Sequence, residues 1–491
     1  MPGRSKLARV CLFSHSSELA GAERILLDLV SGLVAEHGVA CTVVLPGAGP
    51  LEARLTAVGA DVLEIPYGWW ADFTPVAPKE ARRRLLAGFN VLAEALPRLA
   101  AAAPDAILTS TLTIPWGAMA AALLGRPHLW YVTEFGELDH DLHFFLPLPQ
   151  VLDIVASSSQ RVLTVSEIVR RRLFSDLDDE RCRTLYCAIE TPSPTAEPPA
   201  PTFRRRKSAK VGVFGFLTPT KGQELALAAV SRLVGQGRDV ELLLAGRDRG
   251  GQADRLAALA AELGIGDRVL LPGFVDSVPA ITSCDVVLLA AKHEAFGRVA
   301  VEALLLERPI VFPASGGYLD YLEDGVHGLA YPAGDAVAAA DRMSRLLDDS
   351  RLARRLARQG AEMARQRFVD NGFVAAAHEH LSQALTSPPS PPFGLLVQLL
   401  GELAAAAAER LTEIREQREQ GAGVREELSR ATQALAEAHQ ELRRLHRAHA
   451  ETHTMAAELH GVCAALRKEL ARVHREYQLL WLDREKLLEG S

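Results

Sequence analysis

The chain has little that would staple it, anchor it or give it a global charge. Its six cysteines, Cys11, Cys41, Cys182, Cys187, Cys284 and Cys463, form no Cys-x-x-Cys pair. That excludes a disulfide framework or a zinc knuckle as the organising device and predicts reduced thiols in a cytoplasmic protein. No window holds eighteen uninterrupted apolar residues; the stretch from Gly394 is broken by Gln398 and Glu402. A membrane-spanning helix is not expected, although contact at the inner face of a membrane stays compatible with the sequence. The start, MPGRSKLARVCLFSH, shows neither a long apolar leader core nor a small-residue cleavage site, and reads as a first strand. With 54 basic and 61 acidic residues and a net charge of -7, nothing pulls the whole chain toward nucleic acid. Neither a Walker A loop nor a G-x-G-x-x-G turn is present, so an ATPase or dehydrogenase reading lacks support.

What is present fits two or three domains in 491 residues. From residue 8 to about 190, short apolar runs such as ARVCLFSH, ACTVVLPG, AILTSTL and RVLTVSE alternate with helical patterns. Such runs, separated by helices, predict βα units around a parallel sheet. Five prolines between positions 192 and 201 then predict an extended linker over 191–209. A second series over 210–386, including KVGVFGFL, VELLLAGR, DVVLLAA and RPIVFPAS, predicts another doubly wound half. The proline-rich stretch SPPSPPFG opens a linker and helical segment over 387–423. From 424 to 491, a d series runs Ala431, Ala438, Leu445, Thr452, Leu459, Leu466, Val473, Leu480, Leu487. That spacing predicts a coiled coil and homo-oligomers formed through it, the alternative being a long helix folded back on the body.

Three junctions carry candidate chemistry. FGFLTPTKGQE sets Gly215 at a strand end and Lys221 at a helix start, where backbone N–H groups and one ammonium can face a phosphate. ELAGAERILLDL places Gly21 at a comparable turn in the first half. HEAFGRVAVEALLLERPIVFPASGG puts Glu294 in a loop and Glu302 on the second turn of a helix starting near Gly297. A helix start attracts anions, so two carboxylates there suit a ligand whose hydroxyls they accept while its phosphates face the helix end.

These residues resemble family 4 retaining glycosyltransferases. The spaced glutamates, the FG at 296–297, the GG at 316–317, the DG at 324–325 and the PAGD at 332–335 carry the resemblance, with GAER, TVSE and TKG. It spans about residues 8 to 383. The resemblance implies a GT-B fold, an α/β architecture of two Rossmann-like domains facing a cleft, here followed by a helical coiled-coil tail. It implies a nucleoside diphosphate sugar as donor substrate, a glycan or lipid-linked acceptor of cell-envelope polysaccharide type, and neither cofactor nor metal. Residue by residue, Glu302 would hold the ribose, Glu294 the donor sugar and Lys221 the diphosphate. The segment Phe296, Gly297, Arg298, Val299 would face sugar and phosphate, with Gly215 beside it and Gly21 approaching from the other domain. Thr133 and Glu134 would lie on the acceptor or sugar side. Lys221 and Glu294 are the catalytic candidates.

Two positions depart from the family pattern. Phe216 stands where many members have an arginine, and Thr133 where many have a histidine. Arg247 or Arg298 are candidates to restore the missing charge, and His140 and His143 to reach the cleft. The departures leave a competing reading, a sugar-nucleotide-binding assembly protein that gathers partners through its coiled coil. A nucleotide-sugar epimerase is a further enzymatic alternative.

Overall fold

The computed structural model describes residues 6–191 and 208–387, with Leu396 and Leu399. The predicted coiled coil at 424–491 and most of both proline-rich segments lie outside the described residues.

The first half contains β1 (Arg9–Phe13), β2 (Ala40–Leu45), β3 (Asp61–Glu64), β4 (Ala71–Asp72), β5 (Ala106–Ser110), β6 (His128–Val132), β7 (His143–Phe144), β8 (Arg161–Thr164) and β9 (Cys182–Thr184). Seven of these form a sheet in the order β3-β2-β1-β5-β6-β8-β9, with parallel pairing throughout. The inner strands AILTS and HLWYV are buried at every position. Continuous burial is what a sheet covered by helices on both faces demands, and it explains the unbroken apolar runs. β4 and β7 pair separately as a small antiparallel ribbon.

The second half adds β10 (Ala209–Phe214), β11 (Val240–Ala245), β12 (Val269–Gly273), β13 (Val286–Leu288), β14 (Ile310–Pro313) and β15 (Leu329–Tyr331). Their order is β12-β11-β10-β13-β14-β15, again parallel. In each sheet the strand order reverses beside the first strand, between β1 and β5 and between β10 and β13. Crevices open at such switch points, outside the C-terminal strand ends.

One assignment changes. The sequence reading placed the helices from about 335 to 385 with the second half, but the last of them, Phe373–Ala384, packs on the first. The Phe373 ring lies 6.1 Å from that of Tyr131 on β6, and Val374 fills the space above Gly32 in the helix Gly21–Ala35. Arg161 on β8 reaches His380 and Gln383 of the same helix at 2.6 and 2.7 Å. Between residues 6 and 387 the chain therefore passes from one half to the other twice. At the second crossing the Ile189 amide donates to the Phe368 carbonyl at 2.8 Å, tying the two crossings together. An amphipathic pattern tells which face of a helix is apolar but not which sheet receives it.

Candidate functional site

A cleft of about 370 Å³ opens between the C-terminal strand ends of the two sheets. It brings together the residues to which the resemblance gives a role: Gly21, Thr133, Glu134, Gly215, Lys221, Glu294, Phe296, Gly297, Arg298, Val299 and Glu302. His140 also lines it, whereas His143, exposed on β7, does not.

The local backbone explains the placement. After β10 the chain turns at Gly215 (φ +133) and forms one 3₁₀ turn, Pro219–Lys221. Gly222 (φ +75) then caps the helix Gln223–Gly235, and a Cβ there would overlap the Ala290 carbonyl oxygen after β13. Only glycine meets both demands. Gln223 is buried and donates to the Phe216 carbonyl at 2.8 Å, which fixes the loop that presents Lys221.

After the neighbouring strand β13, Gly297 (φ +87) caps the helix Arg298–Leu305, whose first turn points its free amides out of the helix end. Gly316 and Gly317 pack directly beneath the Glu294 loop, and the Gly317 amide donates to the Glu294 carbonyl at 2.7 Å. The glycine pair therefore acts by close backbone approach. The other motif pieces are structural too. Asp335 caps the helix Ala336–Asp348, and Asp324 accepts from the Ala330 amide. Ser166 of TVSE caps its own helix and donates to the Ala295 carbonyl at 2.5 Å, docking one half on the other.

The electrostatics are specific. Lys221 Nζ lies 2.9 Å from Glu294 Oε2. Burial works to lower the ammonium's pKa, but Glu294 and Asp139 outweigh it, and the pKa is raised. Glu302 is largely shielded; burial pushes its carboxyl above the usual range, with Arg298 and Arg24 opposing. Arg298 Nε is 3.8 Å from Glu302 and Nη1 is 3.6 Å from Asp28 on the facing domain. Burial raises Asp28 to about 6 against the pull of that guanidinium. Glu134 is 5% exposed and raised to about 7 by burial. Its oxygens are occupied by the Leu112 amide and by the Thr133 amide and hydroxyl, so it braces the β5 and β6 loops.

The sequence reading named Arg247 and Arg298 as replacement cations, and both are engaged across the cleft. Arg247 pairs with Glu18 of the first half, and Arg298 faces Asp28. The cation it missed is Arg249. Its guanidinium lies 3.8 Å from the centre of the Phe216 ring and 5.6 Å from that of Phe73. Among the described residues no carboxylate closes an ion pair with it. The residue that breaks the family pattern is thus the platform on which a nearby arginine rests. The signal lay in AGRDRGG, a strand end followed by glycines and two arginines beside the Gly215 loop. Among the described residues no group of three or more metal-ligating side chains occurs, and no helix is long and apolar enough to cross a membrane.

Two doubly wound halves facing one cleft at their switch points define the GT-B architecture. Residues 19–192 match the family described as Glycosyltransferase Family 4. Residues 197–363 match Glycosyl transferases group 1. Among solved structures it is similar to Anabaena HepE in complex with UDP and glucose, at 21% identity and a TM-score of 0.63. That match covers 77% of this chain and 100% of the other. Sucrose-phosphate synthase from Thermosynechococcus elongatus has a TM-score of 0.59 at 20% identity, covering 77% and 98%. In sequence it is 31% identical over 157 residues to an alpha-D-kanosaminyltransferase of Streptomyces kanamyceticus, covering 31% of this chain and 40% of that one. It is 32% identical over 225 residues to a D-inositol 3-phosphate glycosyltransferase of Mycolicibacterium smegmatis, covering 43% and 50%. The chain thus spans half or less of the length of these curated relatives.

Proposed function

We propose that the protein transfers a sugar, with retention of anomeric configuration, from a nucleoside diphosphate sugar to a hydroxyl of a glycan or glycolipid acceptor. The observation that carries this reading is the arrangement of Lys221, Glu294 and Glu302 around one helix start in a two-domain cleft. Glu302 suits the ribose hydroxyls and Glu294 the sugar hydroxyls, because ionised carboxylates accept and a sugar edge donates. Lys221, the helix N-terminus and Arg249 suit the diphosphate.

In this reading the bond between the anomeric carbon and the diphosphate oxygen breaks while the acceptor oxygen approaches on the same face. The acceptor proton passes to the departing phosphate oxygen, and the two cations stabilise the charge that develops there. The printed names of relatives, an alpha-D-kanosaminyltransferase, a 2-deoxystreptamine glucosyltransferase and a D-inositol 3-phosphate glycosyltransferase, support sugar transfer. Self-association through 424–491 and contact with the inner face of a membrane belong to the same proposal and rest on the sequence alone.

The competing assembly-protein reading drew on Phe216 and Thr133. Arg249 on the Phe216 ring weakens it, since the cleft keeps a second cation. A thermal-stability screen against nucleotides and nucleotide sugars, followed by product analysis by NMR, tests the reading. The expected result is stabilisation by one donor class and a product whose anomeric configuration matches the donor. Stabilisation without turnover would favour the binding module, and an inverted product would overturn retention.

A further inference from the structure

Asp28 is a carboxylate of the first half that the proposed reaction does not use, yet it stands close to the residue that suits the donor ribose. The helix Gly21–Ala35 turns one stripe toward the second half, with Gly21, Arg24 and Asp28 on successive turns. At its start the approach is close: a Cβ on Gly21 would lie 3.9 Å from Arg298 Cδ. Opposite, the helix Arg298–Leu305 presents Arg298 and, one turn on, Glu302.

The Arg298 guanidinium therefore lies between two carboxylates, one from each half. Nη1 is 3.6 Å from Asp28 Oδ2, and Nε is 3.8 Å from Glu302 Oε1. Charge-assisted pairs close at about 2.7–2.9 Å, so the guanidinium is bonded to neither. Nη1 is buried and makes no hydrogen bond. A buried donor left open in this way gains by closing on an acceptor, and Asp28 and Glu302 are both in reach. Cys187, beside Arg298 on the crossing segment, stays a neutral thiol because burial pushes its pKa up to about 12. Burial holds Asp28 up at about 6 against the pull of Arg298, with Glu190 adding to the rise and Arg24 opposing it.

We propose that Asp28 is a positioning residue for the donor: from the first half it holds Arg298 off Glu302, and so keeps that carboxylate open to the ribose hydroxyls of a nucleoside diphosphate. This rests on the donor reading above. With Asp28 neutral, Glu302 is the charged acceptor left to the guanidinium, which closes on it. The ribose must then displace an ion pair in order to bind. Simple charge counting predicts the reverse, because removing an acid beside a site for an anion strengthens anion binding. The sign of the effect is therefore diagnostic.

Binding of UDP, or of whichever nucleoside diphosphate stabilises the protein, is measured by calorimetry on the full chain. Inorganic diphosphate, which has no ribose, is titrated beside it. Asp28→Asn is expected to weaken the nucleotide about tenfold and to leave inorganic diphosphate unchanged or tighter. In an Arg298→Met background the same substitution is expected to change neither. The gap between wild type and Asp28→Asn is present at about pH 7.5 and closes as pH falls through about 6, where wild-type Asp28 becomes neutral too. Titration of the diphosphate itself is common to both proteins. A nucleotide bound equally or more tightly by Asp28→Asn overturns the inference, as does a loss that persists in the Arg298→Met background or extends equally to inorganic diphosphate. If Asp28→Asn does not fold, Asp28→Ala, which favours the helix, takes its place. A wild type that binds no nucleotide fails the donor reading itself, and this inference with it.

Discussion

Lys221 is held 2.9 Å from Glu294 before any ligand arrives, so its replacement perturbs two things at once. It removes a cation from the proposed diphosphate site and leaves a shielded carboxylate without its partner. The two effects are separable. Losing one preorganised donor to developing charge typically costs about 10² to 10³ in turnover, roughly 2.7 to 4 kcal/mol. Lys221→Met should therefore fall in that range, measured as initial rate at saturating donor. If Lys221 acts on the diphosphate, adding Lys221→Met to Glu294→Gln should cost nearly the same factor again. If it serves only to neutralise Glu294, the second loss should vanish once the carboxylate is gone. Arg249→Met gives the matching measurement on the other cation and keeps bulk against Phe216. Its loss should also be about tenfold or more, and the Lys221→Met/Arg249→Met double should fall short of the product of the singles, because both cations act on one charge. Full turnover in Arg249→Met would refute the second-cation assignment. Restored turnover in Lys221→Met/Glu294→Gln relative to Glu294→Gln would refute the first.

Glu302→Ala should weaken nucleoside diphosphate binding by about 1.5 to 3 kcal/mol, read by calorimetry, with the melting temperature of the free protein nearly unchanged. Gly222→Ala puts a Cβ against the Ala290 carbonyl at a backbone angle of +75°, so it should lower stability and displace Lys221, with nucleotide affinity falling alongside. His128 is buried between Thr109 and Ser159, and burial holds its pKa down to about 3, against 6.5 for the free imidazole. Its contribution is therefore present above pH 6.5 and lost as pH falls toward 3. The stability advantage of wild type over His128→Gln should shrink by about 1.4 kcal/mol per pH unit below 6.5 in denaturant titrations, and a pH-independent difference would remove His128 from the acid limb. Truncation after residue 387 should reduce the oligomeric state in ultracentrifugation; an unchanged monomer would favour the folded-back helix over the coiled coil.

The parts of the fold set by local pattern were legible. Apolar runs bounded by turns located the strands, and the glycine at 297 located the helix start between the two glutamates. What escaped depended on pairing at a distance. Arg249 reaches Phe216 because β10 and β11 run in parallel register, Phe214 beside Ala245, which carries the two following loops side by side. Nothing within either loop announces that register. The structure likewise distinguishes candidates that looked alike in sequence. Arg247 and Arg298 lie within ion-pair distance of acids of the first half, while Arg249 feels Glu23 and Glu18 only from further away. Burial of Glu23 was hidden for the same reason, since an acid in the first turn of a helix is ordinarily a solvated partner of the dipole.

The double crossing between the halves bears on how the cleft can open. Joined by one strand of chain, two bodies can swivel about it in any direction. Here Ile189 and Phe368 bind the two crossings edge to edge. Two crossings held edge to edge favour a hinge whose axis runs through both, like a door on paired pins, so that the two walls of the cleft would swing toward each other rather than slide. Because the closing helix Phe373–Ala384 is seated on the first sheet, the continuous described chain ends on the first half rather than on the second. A load applied through residue 387 would therefore act on the first half and leave the second free to swing.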